Sequence, residues 1–350
     1  MKKILFIVQI FTITSFMFAQ NLQINSLDSS IETKINSITP QVVKDSAPFT
    51  GISLVYIPGT DTSGAYNIGE NVQSITDKRE VLPFYINAYE TCYQLWYTTR
   101  LQAETEFGYI FQNPGQEGAG GRRGRAPTDK SKYKPVTTIN WRDAIVWCNA
   151  LSEIEGREPC YTYKDTVLRD STNAASIDLC KCNYKANGYR LPTETEWEYA
   201  ARKTSEGFQN GNLVSGAVDD LGMSDFDAPE VDYCWNEINS SGTANVGTSG
   251  SIFGAKSEPG SGKANAMGLF DMSGNVLEFC NDWYEPYYSS VILDNNTTSY
   301  YYDGPEYGSN RVARGGSWSI FAAYCYCGDR YAFDPDEAYN YTGFRFCRTE

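Results

Sequence analysis

Tyr189-Arg190-Leu191-Pro192-Thr193-Glu194-Thr195-Glu196-Trp197-Glu198-Tyr199-Ala200-Ala201-Arg202 is a stretch that carries its own start signal. Thr193 follows a proline and is a good N-cap. Glu196 stands three positions on, the spacing of a capping box in which each side chain satisfies the other's orphan amide. Trp197, Tyr199, Ala200 and Ala201 then supply the buried side of a helix. A second helix reads the same way upstream, with Asn140 as N-cap, Asp143 three residues on, and Ala144, Trp147, Leu151 and Ile154 on one face. It should end at Gly156.

Outside these helices regular structure is sparse. Ile52 to Ile57 and Leu82 to Ile86 read as strands by their β-branched and aromatic content, and Pro83 makes the second an edge strand at best. Downstream of Arg202 the pattern breaks into glycine, asparagine and aromatic residues with frequent turns up to Glu350. Few helices, short strands and 26 tyrosines describe an α+β fold with long loops, in which rings do much of the burying.

The chain opens Met1-Lys2-Lys3 and runs mostly apolar from Ile4 to Ala19, two basic residues ahead of a core too short to span a bilayer. This predicts a signal peptide over residues 1–19, cleaved after Ala19. No later run is long and apolar enough to be a transmembrane segment, so the expected product is exported: periplasmic, on the cell surface or secreted. Residues 20–48 read as a polar extension and 49–350 as one large domain, since no low-complexity linker divides them.

Composition removes whole classes of function. A net charge of −14 repels phosphate backbones, so nucleic acid is not an expected partner; the basic cluster Gly121-Arg122-Arg123-Gly124-Arg125 reads as a solvated glycine-rich loop. The chain contains no histidine, which excludes Ser-His and Cys-His nucleophile pairs and histidine-ligated metal centres. Gly260-Ser261-Gly262-Lys263 lacks the leading glycine and following hydroxyl of a phosphate loop. Ten cysteines in an exported chain permit disulfides, whose pairing the spacing leaves open.

Four segments taken in order carry a resemblance. They are Pro135-Val136-Thr137-Thr138-Ile139-Asn140-Trp141, the Tyr189 to Arg202 stretch, Asn265 to Trp283, and Arg314-Gly315-Gly316-Ser317-Trp318 through Gly343-Phe344-Arg345. Together they resemble the formylglycine-generating-enzyme (sulfatase-modifying factor) family over nearly all of residues 49–350. The resemblance implies a variant of the C-type lectin fold, with a small twisted sheet, two main helices and much of the mass in loops. Function stays open, because the family includes oxidases, iron enzymes and proteins without catalysis.

The family's oxidases hold copper with two cysteines after the Arg-Gly-Gly-Ser motif. In this chain the second position falls on Cys325 and the first on Ile320, which cannot bind copper. Cys327 has the wrong spacing, and the histidine ligands of the iron branch are missing. The resemblance also implies a structural Ca²⁺ in Asp271-Met272-Ser273-Gly274-Asn275-Val276-Leu277-Glu278, with side-chain oxygens of Asp271 and Glu278 and backbone carbonyls of Gly274 and Val276.

Ser319 to Tyr341 resembles the variable region of proteins diversified by retroelements, where randomised adenines yield codons unable to encode Met, Trp, Lys, Gln or Glu. In that segment only Glu337 breaks the rule, where about five exceptions follow from ordinary usage. Tyrosines and phenylalanines interleave there with small residues and acids, as in antibody paratopes. The expectation is a non-catalytic binding protein whose contacts to a protein or other extracellular ligand come from Phe321, Tyr324, Tyr326, Asp329, Tyr331, Phe333, Tyr339, Asn340 and Tyr341. Arg314 to Trp318 belong to the frame. The alternative is a copper-dependent oxidase.

Overall fold

The computed structural model describes residues 49–60, 66–69, 77–217, 233–249, 258–285 and 304–350. The signal peptide expected at 1–19 and the extension at 20–48 lie outside the described residues. Strand β1 (Leu54–Ile57) pairs antiparallel with β2 (Phe84–Asn87), and the chain then enters helix α1 (Tyr93–Gln102). Helix α2 (Trp141–Ile154) and helix α3 (Glu194–Arg202) follow. Strand β3 (Leu277–Trp283) leads to β4 (Arg311–Arg314), β5 (Arg330–Phe333), β6 (Thr342–Gly343) and β7 (Cys347–Thr349). The last strand returns to the first sheet, whose order is β1-β2-β7, while the second sheet runs β5-β4-β3-β6.

Strand β2 is therefore central, not the edge strand that Pro83 suggested. The proline sits just before the strand begins at Phe84, so it takes no place in the ladder.

Both expected capping boxes form. Thr193 Oγ1 accepts from the Glu196 amide at 3.1 Å and Glu196 Oε2 accepts from the Thr193 amide at 2.9 Å. The Asn140 and Asp143 pair does the same at 2.8 and 3.2 Å, and α2 gives way to Gly156 at φ +69°. Helix α2 is not amphipathic in place: every residue from Trp141 to Ser152 is buried, because rings and loops cover it all round. Helix α1 went unread in the sequence for a local reason. Its N-cap, Cys92, makes no side-chain cap bond, and its Tyr- and Thr-rich sequence shows little apolar periodicity.

The core is built from rings. Trp96 of α1 stacks on Trp147 of α2 at 6.0 Å between centroids, and Phe344 meets both edge-on at 6.1 and 5.3 Å. Phe346 packs on Trp147 and on Tyr189. In an extended chain alternate side chains face opposite ways, so Arg345, between these two phenylalanines, points away from the rings. Its Nε and Nη2 each donate to a Glu278 oxygen at 2.6 Å. Nη2 also donates to the Phe270 carbonyl at 2.8 Å, and Nη1 to those of Asn87 and Ala88 at 3.2 and 3.3 Å.

The same face of β3 receives α3 through Trp197 Nε1, which donates to Glu278 at 2.7 Å. Glu198 of α3 takes Arg202 at 2.7 Å and Arg314, while Glu194 takes Arg330. Cys92, Cys148, Cys160, Cys280, Cys325, Cys327 and Cys347 are buried free thiols that pack as small apolar residues, in place of the disulfides that export permits. Among the described residues no helix is long and apolar enough to cross a membrane.

Removing one partner of a buried ion pair leaves the other charge unsolvated and costs about 3–5 kcal/mol. Arg345→Met should lower unfolding free energy in urea by that order, and Arg345→Lys should fail to restore it, since an ammonium cannot replace a planar fork.

Candidate functional site

The segment 319–341 hangs between two fixed ends. At its start Gly315 and Gly316 adopt φ +90° and +73°. A Cβ on Gly316 would lie 2.4 Å from Cys325 Sγ, so the chain folds back on itself there only with glycine. A short 3₁₀ turn (Ala322–Tyr324) leads through Cys325 to β5, which pairs antiparallel with β4, Tyr331 opposite Ala313 and Phe333 opposite Arg311. At its end Thr342 and Gly343 join β3 in parallel.

The nine expected contact residues divide into groups with different surroundings. Phe321 and Tyr324 form an exposed tip, at 48% and 58% of full accessibility. Tyr331 ties the tip to the strand by donating its hydroxyl to the Tyr324 carbonyl at 2.5 Å. Tyr339 and Tyr341 stack at 4.9 Å and 5° between planes, with Phe333 tilted against both and Phe279 edge-on beneath it. Phe333, Tyr331 and Tyr341 are half-buried and rest on the main core. Tyr326 packs with Ile320 on the small cluster of Val214, Ala217, Cys234 and Cys325. Asn340 is exposed and stands apart from the ring row. The segment is thus neither a buried slab nor one flat patch. It is a row of half-supported rings with a free tip.

The acids among the rings are mostly engaged. Asp336 holds Arg142 at 2.9 Å, and Glu337 accepts from the Tyr339 hydroxyl at 2.8 Å. Asp329 accepts from the Tyr326 amide at 3.2 Å, and burial pushes its carboxyl up to about 6.

A cavity of about 630 Å³ opens beside the root of the segment. Trp318 Nε1 donates to the Asn340 carbonyl at 3.3 Å and Asn340 Nδ2 to that of Ala119 at 3.2 Å, and these residues make one rim. Trp235, Thr243, Lys130 and Lys134 line the rest. From sequence, Trp318 reads as frame and Asn340 as a contact, and the other lining residues carry no assignment. One signal was present: Lys130, Lys132 and Lys134 alternate in an acidic chain. Lys132 is spent on Asp129, leaving its two neighbours at the cavity.

The expected calcium turn is only partly suited to a cation. Asp271 Oδ1 is buried with no hydrogen-bond partner, and burial pushes this carboxyl up to about 6. Burial, then the charges of Asp271 and Glu278, push Glu90 well above the usual carboxylate range. Acid is thus in excess there, and Asp271 has an oxygen to give. Glu278 does not, because both of its oxygens hold Arg345 and one also takes Trp197. Among the described residues no three Cys, Asp or Glu side chains converge as a metal-holding group.

The family described as the sulfatase-modifying factor enzyme 1-like domain matches residues 41–350. Chaperone protein LppX of Paenibacillus barcinonensis is 34% identical over 202 residues, which are 54% of this chain and 60% of LppX. The mouse formylglycine-generating enzyme is 29% identical over 224 residues, 61% of this chain and 50% of the enzyme. The chain thus spans only about half to three-fifths of these two relatives. Among solved structures, Treponema denticola variable protein 1 superposes with a TM-score of 0.61 at 28% identity, covering 87% of this chain and 98% of that one. The fold is the C-type lectin-like fold of the formylglycine-generating-enzyme type, as the motifs implied.

An unfolded aspartate titrates near ~3.9, so folded Asp329, held up to about 6, takes its proton first. Its contribution to stability is full below about pH 4 and is lost as pH rises through about 6. Between pH 4 and 7, stability should fall less in Asp329→Asn than in the wild type; an equal fall removes Asp329 from that account.

Proposed function

Since this chain belongs to the family of sulfatase-modifying factor enzyme 1-like domains, we propose that it is an exported, non-catalytic binding protein that uses the family's frame to display residues 319–341. The observation that carries this reading is the state of the oxidase positions. Ile320 stands where a copper-binding cysteine belongs, and it packs against an apolar cluster. Cys325 is buried in that cluster, whereas Cys327 is buried in a different one beside Trp197 and Val312. Burial and the nearby Glu198 push the Cys327 thiol up to about 12, so it rests as a thiol in the metal-free protein.

The display half of the proposal draws on the exposed Phe321 and Tyr324 and on the ring row behind them. Such rings offer large contact area with few rotamers to freeze, and they bind by stacking and by hydroxyl hydrogen bonds. The likeness to a protein named for its variability supports a diversified origin for the segment. The apolar run from Ile4 to Ala19 supports export to the envelope or beyond. A protein or another extracellular ligand is the partner.

Calcium belongs to the proposal in a restricted form. Asp271 supplies a free oxygen and Gly274 and Val276 the carbonyl positions, while Glu278 joins only by releasing part of its hold on Arg345. The ion would be structural.

Three measurements test these statements. Protein loaded with Cu(I) and given a cysteine-containing peptide should neither hold stoichiometric copper nor turn over, while its genomic neighbourhood should carry a reverse transcriptase and a near-copy of the 3′ coding region differing at adenines. Copper turnover, or a neighbourhood with neither feature, sinks the reading. Calcium should raise the melting temperature relative to a chelator by a few degrees, roughly what a ligand well above its Kd delivers, and Asp271→Asn should abolish that difference.

A further inference from the structure

The cavity beside Trp318 is chemically unlike the rest of the molecule. The chain carries 43 acidic and 29 basic residues, yet none of the described residues lining this cavity is acidic and two are lysines. Neither Lys130 nor Lys134 forms an ion pair among the described residues. Burial pushes the Lys134 ammonium below its ordinary value; the nearby Glu117 works against that shift but is itself held by the Thr128 amide at 2.6 Å and the Thr128 hydroxyl. Trp235 Nε1 is buried with no acceptor, so the positive end of its N–H dipole is uncompensated. The wall's other polar groups are largely spent on holding it: Thr243 Oγ1 accepts from the Ala119 amide at 2.9 Å, and Asn239 Nδ2 donates to the Cys234 carbonyl at 2.8 Å. What is left for a ligand is the positive charge of Lys130 and Lys134, among neutral groups that include the Asn245 amide.

The apolar part of the wall is equally specific. Among the described residues it comes from Trp235 and Trp318, with the small side chains of Ala119 and Ala244 beside them. Flat indole faces favour a ligand that presents a face of C–H groups, while its edge offers oxygen acceptors. A pyranose ring has that division, and a uronate or sulfate ester on it supplies the negative charge that two ammoniums stabilise by charge-assisted hydrogen bonds. A cavity of about 630 Å³ has room for a short oligosaccharide.

We propose that this cavity is a binding site for an acidic saccharide, with Lys130 and Lys134 on the anionic group and Trp235 and Trp318 against the ring. The site does not depend on residues 319–341 being diversified; of the nine contact residues only Asn340 reaches it.

The test is calorimetric titration of the full chain with four probes. These are a glucuronate-containing tetrasaccharide, a sulfated tetrasaccharide without uronate, a neutral chitotetraose and a tetraglutamate peptide. At least one acidic sugar should bind with a Kd below about 1 mM, and the neutral sugar about tenfold more weakly. Comparison of the two acidic probes identifies carboxylate or sulfate as the anion. Lys134→Gln should weaken acidic-sugar binding about tenfold. Lys130→Gln, on an exposed side chain, should weaken it in the same direction without touching the fold. Phe321→Ser and Tyr324→Ser should leave it unchanged, which separates this site from the displayed surface. Equal affinity for chitotetraose, tetraglutamate binding as tight as either acidic sugar, or no binding of both acidic sugars overturns the proposal.

Discussion

One guanidinium holds three pieces of chain at fixed distances. Arg345 binds Glu278 of β3 with two bonds and spends its remaining donors on the carbonyls of Asn87, Ala88 and Phe270. Those partners come from the first sheet, the loop before β3, and β3 itself. Such a charge is tolerable inside a protein only when every donor is met. The same carboxylate also accepts from Trp197, so helix α3 cannot shift without losing a buried hydrogen bond to Glu278. Phe344 and Phe346 on either side of Arg345 then deliver rings to Trp147. A three-residue alternation at the C-terminus thus joins an electrostatic centre to an aromatic one.

Against that rigid centre the functional surfaces are built from less committed groups. Arg314 of β4, just before the segment 319–341, and Arg330 of β5, within it, are tied to Glu198 and Glu194 of α3. Beyond these anchors the rings of Phe333, Tyr339 and Tyr341 support one another more than they are enclosed. A substitution among them changes a local stack, whereas a substitution at Arg314 removes one of the two guanidiniums that balance the buried Glu198. The cavity beside Trp318 is a third kind of surface, with walls held by loop hydrogen bonds and its charges left over.

The parts of the fold that were legible in the sequence were those governed by local chemistry. Both capping boxes are short-range, and Thr193 with Glu196 or Asn140 with Asp143 announce themselves without tertiary help. Helix α1 lacks such a signal at Cys92, and the central place of β2 depends on which strands pair, which no local pattern encodes. At the candidate site the aromatic character of 319–341 was plain, but its partition was not. Whether Tyr331 lies on the core and Tyr324 in solvent is decided by the pairing of β5 with β4. The cavity draws on residues far apart in sequence, and only the alternating lysines hinted at it.

Strand β5 lies at the margin of its sheet, paired with β4 alone among the described strands. A marginal strand enters one ladder, so an exchanged side chain perturbs one set of cross-strand neighbours instead of two. Its backbone bonds, meanwhile, are indifferent to what the side chains are. The half-buried rings of Tyr331 and Phe333 therefore stand on the strand where an exchanged side chain disturbs the fewest cross-strand neighbours. Such an exchange calls for few compensations elsewhere, and that tolerance is in this sense a property of strand order.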